Sequence, residues 1–182
     1  MLLAHELPPP GTGGSTAIAD MRAAYRDLDP EFKQFLQEKK FISRHSILHS
    51  KKMAAPEYFK NVEPADYFMS RHLLLQVHER TGIPTIYLAK HIHSLEGVSP
   101  EESQAILDRL FEHATQDKYV IDVQWYDPGD MIVWDNTCTM HRAVSGEFLT
   151  KYRRDMRRAT VHDDSSLAWG FNEKSDVRMG LP

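Results

Sequence analysis

The sequence lacks the features that define several large classes of protein. A single cysteine, Cys138, stands among 182 residues, so no intramolecular disulfide can form and a reducing compartment is expected. No apolar run approaches the roughly 20 residues of a membrane-spanning helix, and the first residues lack the basic and apolar regions of a secretory signal. Positive charge is not in excess, since the formal net charge is −4. These absences predict a cytoplasmic protein that binds neither membranes nor nucleic acids.

Familiar catalytic motifs are absent as well. The chain has no His-Glu-x-x-His pair, no paired-cysteine motif and no Gly-x-Ser-x-Gly elbow, which excludes zincins, zinc ribbons and α/β-hydrolases. The sequence places no basic residue directly beside Cys138, so a buried and inert thiol is the better interpretation. The remaining composition, 41% hydrophobic and 26% charged, is that of a globular protein. We expect a single domain over residues 1–182.

Short strands and capped helices alternate irregularly along the chain. Asp20, Asp29 and Ser99 are predicted N-caps, and Pro100 suits the first position of the helix after Ser99. Because no regular βαβ alternation occurs, the pattern predicts a mainly β fold with inserted helices, a sandwich or jelly roll. Strand character is found in residues 1–7, 41–49, 73–77, 85–88, 120–125, 131–134 and 157–161.

The strongest functional signal lies in the C-terminal third. Ten histidines mean little alone, because most histidines are surface or core residues rather than ligands. The stretch from Trp134 to Ala143, however, reads Trp-Asp-Asn-x-x-x-x-His-x-Ala, and residues 154–160 read Arg-x-x-x-Arg-x-Thr. This order resembles the C-terminal signature of the taurine and 2,4-dichlorophenoxyacetate dioxygenase family. The resemblance runs to about Asp164 and includes Glu6-Leu7-Pro8, Gly13-Gly14-Ser15-Thr16 and Pro128-Gly129-Asp130.

The resemblance implies a double-stranded β-helix (a cupin-like jelly roll) that uses Fe(II), 2-oxoglutarate and O₂. Two histidines and one carboxylate hold iron on one face in such sites and leave other positions open. By resemblance His141 is the distal iron ligand. Arg154 anchors the far carboxylate of 2-oxoglutarate, a task that suits a planar guanidinium, and the Thr16 hydroxyl supports the same carboxylate. Arg158 matches an arginine that faces an anionic group of the substrate.

Strand periodicity allows this assignment but does not demand it. If residues 154–160 are a strand, Arg154 and Arg158 share one face, roughly 13 Å apart at about 3.3 Å per residue. We expect His141 and Arg154 at the same concave face of a β-sheet. The alternative is that residues 153–158 are a solvated, charged edge strand, which periodicity alone would favour.

The sequence departs from the family at its start. The family's other two iron ligands come from a His-x-Asp or His-x-Glu motif before the Glu-Leu-Pro strand, and His5-Glu6 has no residue between them. His162-Asp163-Asp164 has the right form but follows the arginine pair. We therefore expect an incomplete domain, truncated at its N-terminus, whose unpaired sheet edges leave homo-oligomerisation open.

Two classes of function follow from these observations. The first is a dioxygenase that hydroxylates a small, anionic organic substrate: a sulfonate, an aryloxyacetate-like carboxylate or a purine. The second is a catalytically inactive fragment or pseudo-oxygenase that acts as a binding or interaction protein. A jelly-roll binding module without metal is a weaker third alternative.

Overall fold

The computed structural model describes residues 1–174, so residues 175–182 of the predicted domain lie outside the described residues. Three α-helices are present, α1 (Met21–Arg26), α2 (Pro30–Lys39) and α3 (Pro100–Ala114). None of the helices described is both long and apolar enough to cross a membrane. The strands are β1 (Leu2–Glu6), β2 (Thr16–Asp20), β3 (Ile42–His45), β4 (Ser70–Leu73), β5 (Leu75–His78), β6 (Ile83–Ile86), β7 (Ile92–Leu95), β8 (Val120–Val123), β9 (Met131–Ile132), β10 (Thr139–Ala143) and β11 (Asp155–Arg158).

Two three-stranded sheets take strands alternately from the chain. One has the order β11-β1-β9 and the other β10-β2-β8, with antiparallel pairing throughout. The chain therefore changes sheet between β1 and β2, and again at each step from β8 to β11. This alternation is that of a jelly roll, and it confirms the predicted mainly β fold class. A β4-β3-β7 sheet and the β5-β6 hairpin complete the structure described.

The three predicted helix starts are confirmed by their side-chain caps. A carboxylate oxygen of Asp20 accepts from the backbone N–H of Arg22 at 2.9 Å. Asp29 accepts from Phe32 at 2.9 Å and the Ser99 hydroxyl from Glu102 at 3.1 Å. Each capping side chain accepts a hydrogen bond from a backbone N–H that has no acceptor within the helix. Such a cap stabilises the helix by about 1 kcal/mol.

The apolar core lies beneath the helices rather than between the two sheets of the jelly roll. Met21 of α1 and Leu110 of α3 are almost fully buried, together with Leu36, Leu74 and Ile86. Burying each such side chain contributes roughly 1.5–3 kcal/mol.

Several strand predictions were wrong in their bounds. The last strand, β11, runs from Asp155 to Arg158 rather than from 157 to 161. The segments 120–125 and 131–134 do contain strands, but β8 and β9 belong to different sheets. β2 and β10 were not predicted. β2 is buried along almost its whole length and β10 carries polar side chains, so neither has the apolar alternation by which a strand is recognised.

A cluster of aromatic rings packs on the β4-β3-β7 sheet. The ring centroid of His45 is 5.7 Å from that of His72 and 5.5 Å from that of Tyr87. The Nε2 atom of His45 lies 3.0 Å from Ser43 Oγ. Burial, together with smaller contributions from the neighbouring His72 and His91, lowers the pKa of His45 to about 4. His45 is therefore neutral at physiological pH.

This cluster predicts a loss of stability in mild acid. The folded-state pKa of His45 is below its unfolded value, so between about 6.5 and about 4 the unfolded chain binds more protons. Stability is thus lost as the pH falls through this window. Urea midpoints at about pH 7 and about pH 5 should fall less for His45→Gln than for the unmodified chain. Equal falls in the two proteins would contradict the prediction.

Candidate active site

Arg154 is a half-buried cation with an unused donor. It lies immediately before β11, and its Nε donates to the carbonyl oxygen of Gly14 at 3.1 Å. Its Cζ lies 5.9 Å from the centroid of the Phe148 ring. Among residues 1–174, its buried Nη2 has no hydrogen-bond partner, and burial lowers the pKa of the guanidinium. A buried donor left without a partner is costly, so the arrangement favours an anion beside Nη2.

Gly14 shapes the cradle of this guanidinium. Its φ is +89°, and a Cβ added there would lie 3.2 Å from Arg154 Nε and 3.3 Å from an atom of the Phe148 ring. Only glycine combines this left-handed backbone with so close an approach. Glycine is therefore required by the structure at position 14 of the Gly13-Gly14 motif.

Thr16 begins β2, two residues after Gly14. The residue is only 2% exposed, and its Oγ1 accepts from the indole Nε1 of Trp125 at 3.2 Å. Since Oγ1 already accepts from the indole, its own proton is free to be donated elsewhere. The Thr16 hydroxyl and the Arg154 guanidinium are therefore two donors at the same end of β2.

His141 occupies the middle of β10. It pairs with Ile18 of β2, while Ala143 pairs with Thr16, so His141 and Thr16 side chains share one face of this sheet. The residue is exposed, but its ring packs against Trp134 with centroids 4.6 Å apart. Partial desolvation by such neighbours lowers the pKa of His141, with smaller contributions from the charges of Arg158 and the N-terminal amine. A neutral imidazole is the form that binds a metal.

The arginine-rich strand β11 has two different faces. On one face Arg153 pairs with Glu6 at 3.1 Å, and Asp155 lies 3.6 Å from Arg157. These are exposed ion pairs at a sheet edge. Arg154 and Arg158 alternate with them, and Arg158, although exposed, is close enough to disfavour protonation of His141. Arg153, Asp155 and Arg157 therefore form the solvated, charged edge of the alternative prediction. Arg154 and Arg158 remain compatible with a role in a binding pocket.

The expected placement of His141 and Arg154 on one sheet was wrong. His141 belongs to the β10-β2-β8 sheet, whereas Arg154 leads into β11 of the other sheet. The jelly roll sends successive strands to alternate sheets, so residues on β10 and β11 approach each other across the space between sheets. The support of Thr16 by Trp125 and of Arg154 by Phe148 could not be predicted, because no motif marks Trp125 or Phe148.

The described residues supply only part of an iron site. Within residues 1–174, the one group of three potential ligands close enough to share an ion is His78, Asp135 and Cys138, and it does not include His141. His141 is thus the only resemblance-supported iron ligand in this part of the chain. The donors at Arg154 and Thr16, by contrast, fit a carboxylate.

Comparison with known proteins identifies a family. Residues 1–160 match the family model described as taurine catabolism dioxygenase TauD, TfdA family. The chain is 35% identical over 161 residues to the alpha-ketoglutarate-dependent 2,4-dichlorophenoxyacetate dioxygenase of Burkholderia sp. (strain RASC), covering 88% of this chain and 52% of that protein. It is 31% identical over 148 residues to the (S)-phenoxypropionate/alpha-ketoglutarate-dioxygenase of Sphingobium herbicidovorans, covering 78% of this chain and 50% of that protein.

A solved structure is similar as well. The crystal structure of AAD-2 in complex with Mn(II) and N-oxalylglycine superposes with a TM-score of 0.74 at 35% identity, covering 88% of this chain and 61% of that one. The chain spans about half the length of the curated relatives that it matches.

Proposed function

The chain belongs to the taurine catabolism dioxygenase TauD, TfdA family, and from this premise we propose that it forms the cosubstrate-binding part of an Fe(II)- and 2-oxoglutarate-dependent dioxygenase. The observation that carries the proposal is the buried, unpartnered Nη2 of Arg154. An enzyme of this class has to hold a dicarboxylic oxoacid by its far carboxylate, and this donor suits that task.

The far carboxylate of 2-oxoglutarate accepts hydrogen bonds from Arg154 Nη2 and from the Thr16 hydroxyl. The Gly14 carbonyl and the Phe148 ring hold the guanidinium in place, so little side-chain entropy is lost when the ligand binds. A charge-assisted hydrogen bond contributes about 1.5–3 kcal/mol. The pair thus selects a dicarboxylate over a monocarboxylic oxoacid.

His141 supplies one iron position in this proposal. Its imidazole is held neutral and is flanked by Trp134, which restricts the ring's orientation. When bound, iron with 2-oxoglutarate and O₂ supplies the oxidising chemistry, which releases succinate and CO₂ and hydroxylates the substrate. The described residues contribute the cosubstrate anchor, one ligand and the walls of the pocket.

The substrate is a small organic anion. Arg158 lies near His141, on the side of β11 that does not carry the exposed ion pairs, and a cation there attracts a negatively charged group. The two curated relatives are named for an aryloxyacetate and a phenoxypropionate. Of the classes compatible with the sequence, an aryloxyalkanoate carboxylate is therefore the one we propose.

The proposed cosubstrate site can be tested without turnover. Ligand-observed NMR on the chain should detect 2-oxoglutarate but not pyruvate, an oxoacid that lacks the far carboxylate. Binding of both with equal affinity would show that Arg154 and Thr16 do not recognise that group.

A non-catalytic binding protein is the second candidate function. It is favoured by one observation, that residues 1–174 contain no group of three potential ligands that includes His141. It shares the carboxylate pocket with the first candidate and differs in iron binding and turnover, so succinate release separates the two.

Trp125 is a positioning residue in this proposal, and its replacement is expected to have a moderate effect on the KM for 2-oxoglutarate. In the proposed dioxygenase, Trp125→Phe keeps an aromatic ring but removes the indole N–H that orients Thr16. Losing a hydrogen bond of about 0.5–1.5 kcal/mol should raise the KM for 2-oxoglutarate about two- to thirteenfold, with kcat little changed.

Trp169→Phe is the matched control, since Trp169 stacks with His162 away from Thr16. In the chain itself, Thr16→Val should shift the indole N–H resonance of Trp125 in an NMR spectrum. An unchanged KM in Trp125→Phe would contradict the role.

A further inference from the structure

Three metal-ligating side chains meet outside the candidate active site. His78 ends β5, while Asp135 and Cys138 lie in the turn between β9 and β10. One ring nitrogen, one carboxylate oxygen and the Cys138 Sγ all lie within 4.8 Å of one another. The two segments are far apart in sequence, so the fold, rather than local spacing, brings these donors together.

Two of the three ligands are already oriented by neighbours. The Nδ1 atom of His78 lies 2.7 Å from Thr81 Oγ1, which leaves Nε2 facing Asp135 Oδ2 at 3.0 Å. Asp135 Oδ1 accepts from both the backbone N–H and the hydroxyl of Thr137, at 2.8 and 2.7 Å. Metal ligands are commonly fixed in this way, with the second atom of each group tied to a neighbour.

The thiol is buried beside a carboxylate. Cys138 is 4% exposed, and its Sγ lies within 4.8 Å of a carboxylate oxygen of Asp135. A bound divalent ion would compensate the carboxylate and convert the thiol to a thiolate, its proton passing to solvent.

A cavity of about 430 Å³ opens beside these ligands. His78, Asp135 and Thr137 line it, with Trp134 and Asp163 among the other walls. Water from this cavity can reach an ion held by the three side chains. The site therefore has an entry path and a source for a fourth ligand.

The cluster is separate from the position that His141 would occupy at iron. On β10, Thr139, His141 and Ala143 share one face, whereas Met140 packs against the apolar core on the other. Cys138 precedes the strand on the side of Met140. An ion held by Cys138 is therefore not an ion held by His141.

We propose that His78, Asp135 and Cys138 form a binding site for a thiophilic divalent cation, with Zn²⁺ as the best fit. Mixed nitrogen, oxygen and sulfur ligands at about 2.0–2.3 Å are the donor set that four-coordinate zinc prefers. Binding replaces the hydrogen bond between His78 and Asp135 and draws the three donors inward. It ties the β5-β6 hairpin to the turn that leads into β10.

The test is titration of the reduced, chelator-treated chain with Co²⁺ under anaerobic conditions. We expect a thiolate-to-cobalt charge-transfer band and the intense visible bands of four-coordinate cobalt, both removed by Zn²⁺. Cys138→Ser should abolish the charge-transfer band. His78→Gln and Asp135→Asn each remove a ligand, so they should weaken Co²⁺ binding by at least the roughly 10–100-fold that loss of an outer-shell partner costs. His141→Ala should leave the spectrum unchanged.

A second measurement does not depend on the variants folding. In the unmodified chain, Zn²⁺ should slow alkylation of Cys138, whereas Mg²⁺, which prefers oxygen ligands, should not. Absence of the band in the unmodified chain, Co²⁺ affinity unchanged in both His78→Gln and Asp135→Asn, or loss of the band in His141→Ala would each overturn the proposal.

Discussion

Replacing Arg154 with alanine is expected to abolish productive 2-oxoglutarate binding in the proposed dioxygenase. The guanidinium is half-buried and fixed by the Gly14 carbonyl, and its free Nη2 is available to the cosubstrate. Removing one member of a buried charge pair costs about 3–5 kcal/mol, which corresponds to several hundredfold or more in affinity. The measurement is the KM for 2-oxoglutarate, with direct binding as a second readout.

Two neighbouring arginines serve as controls. Arg153→Ala removes an equally large cation from the adjacent position, but Arg153 is exposed and paired with Glu6, so the KM for 2-oxoglutarate should not change. Arg158→Ala should weaken the binding of the substrate more than the binding of 2-oxoglutarate. If Arg154→Ala left the KM for 2-oxoglutarate unchanged, another residue would have to be the anchor.

Residues 1–182 on their own are expected to bind Fe(II) weakly and to release no succinate from 2-oxoglutarate. A facial iron site needs three protein ligands, and among residues 1–174 His141 belongs to no group of three. Other acidic and histidine side chains exist, but a ligand has to arrive with its geometry fixed by packing. The expected effect is complete loss of turnover.

The experiment has a spectroscopic and a chemical readout. Anaerobic addition of Fe(II) and 2-oxoglutarate should give no visible charge-transfer band, and air should give no succinate above the level of the His141→Ala variant. Robust succinate release by a monomer at stoichiometric iron would refute the prediction. Succinate release by a longer polypeptide that contains this chain, together with no release by residues 1–182 alone, would exclude the non-catalytic alternative.

The parts of the fold that could be predicted are those that depend on local chemistry. Asp20, Asp29 and Ser99 were recognised as caps because a short polar side chain before a helical pattern satisfies nearby backbone donors. The class of fold followed from the abundance of short strands without βαβ repeats.

The parts that could not be predicted depend on pairing over long distances. β2 and β10 carry Thr16 and His141, yet neither shows the apolar alternation of a strand, because β2 is buried on both faces and β10 carries mostly polar, exposed side chains. The family motif located the candidate residues but not their supports. That Trp125 would reach Thr16, or that Phe148 would lie beside Arg154, depends on how the two sheets face each other.

The pairing of strands from opposite ends of the chain has a consequence for biosynthesis. Leu2 of β1 pairs with Arg158, and Thr16 of β2 pairs with Ala143, so neither sheet of the jelly roll can be completed until β10 and β11 have left the ribosome. The β5-β6 hairpin and the helices between these strands have partners nearer in sequence, which cost less loop-closure entropy, so they should form first. β1 and β2 are therefore made well before their partners, and during that interval they are the segments that a chaperone would have to shield.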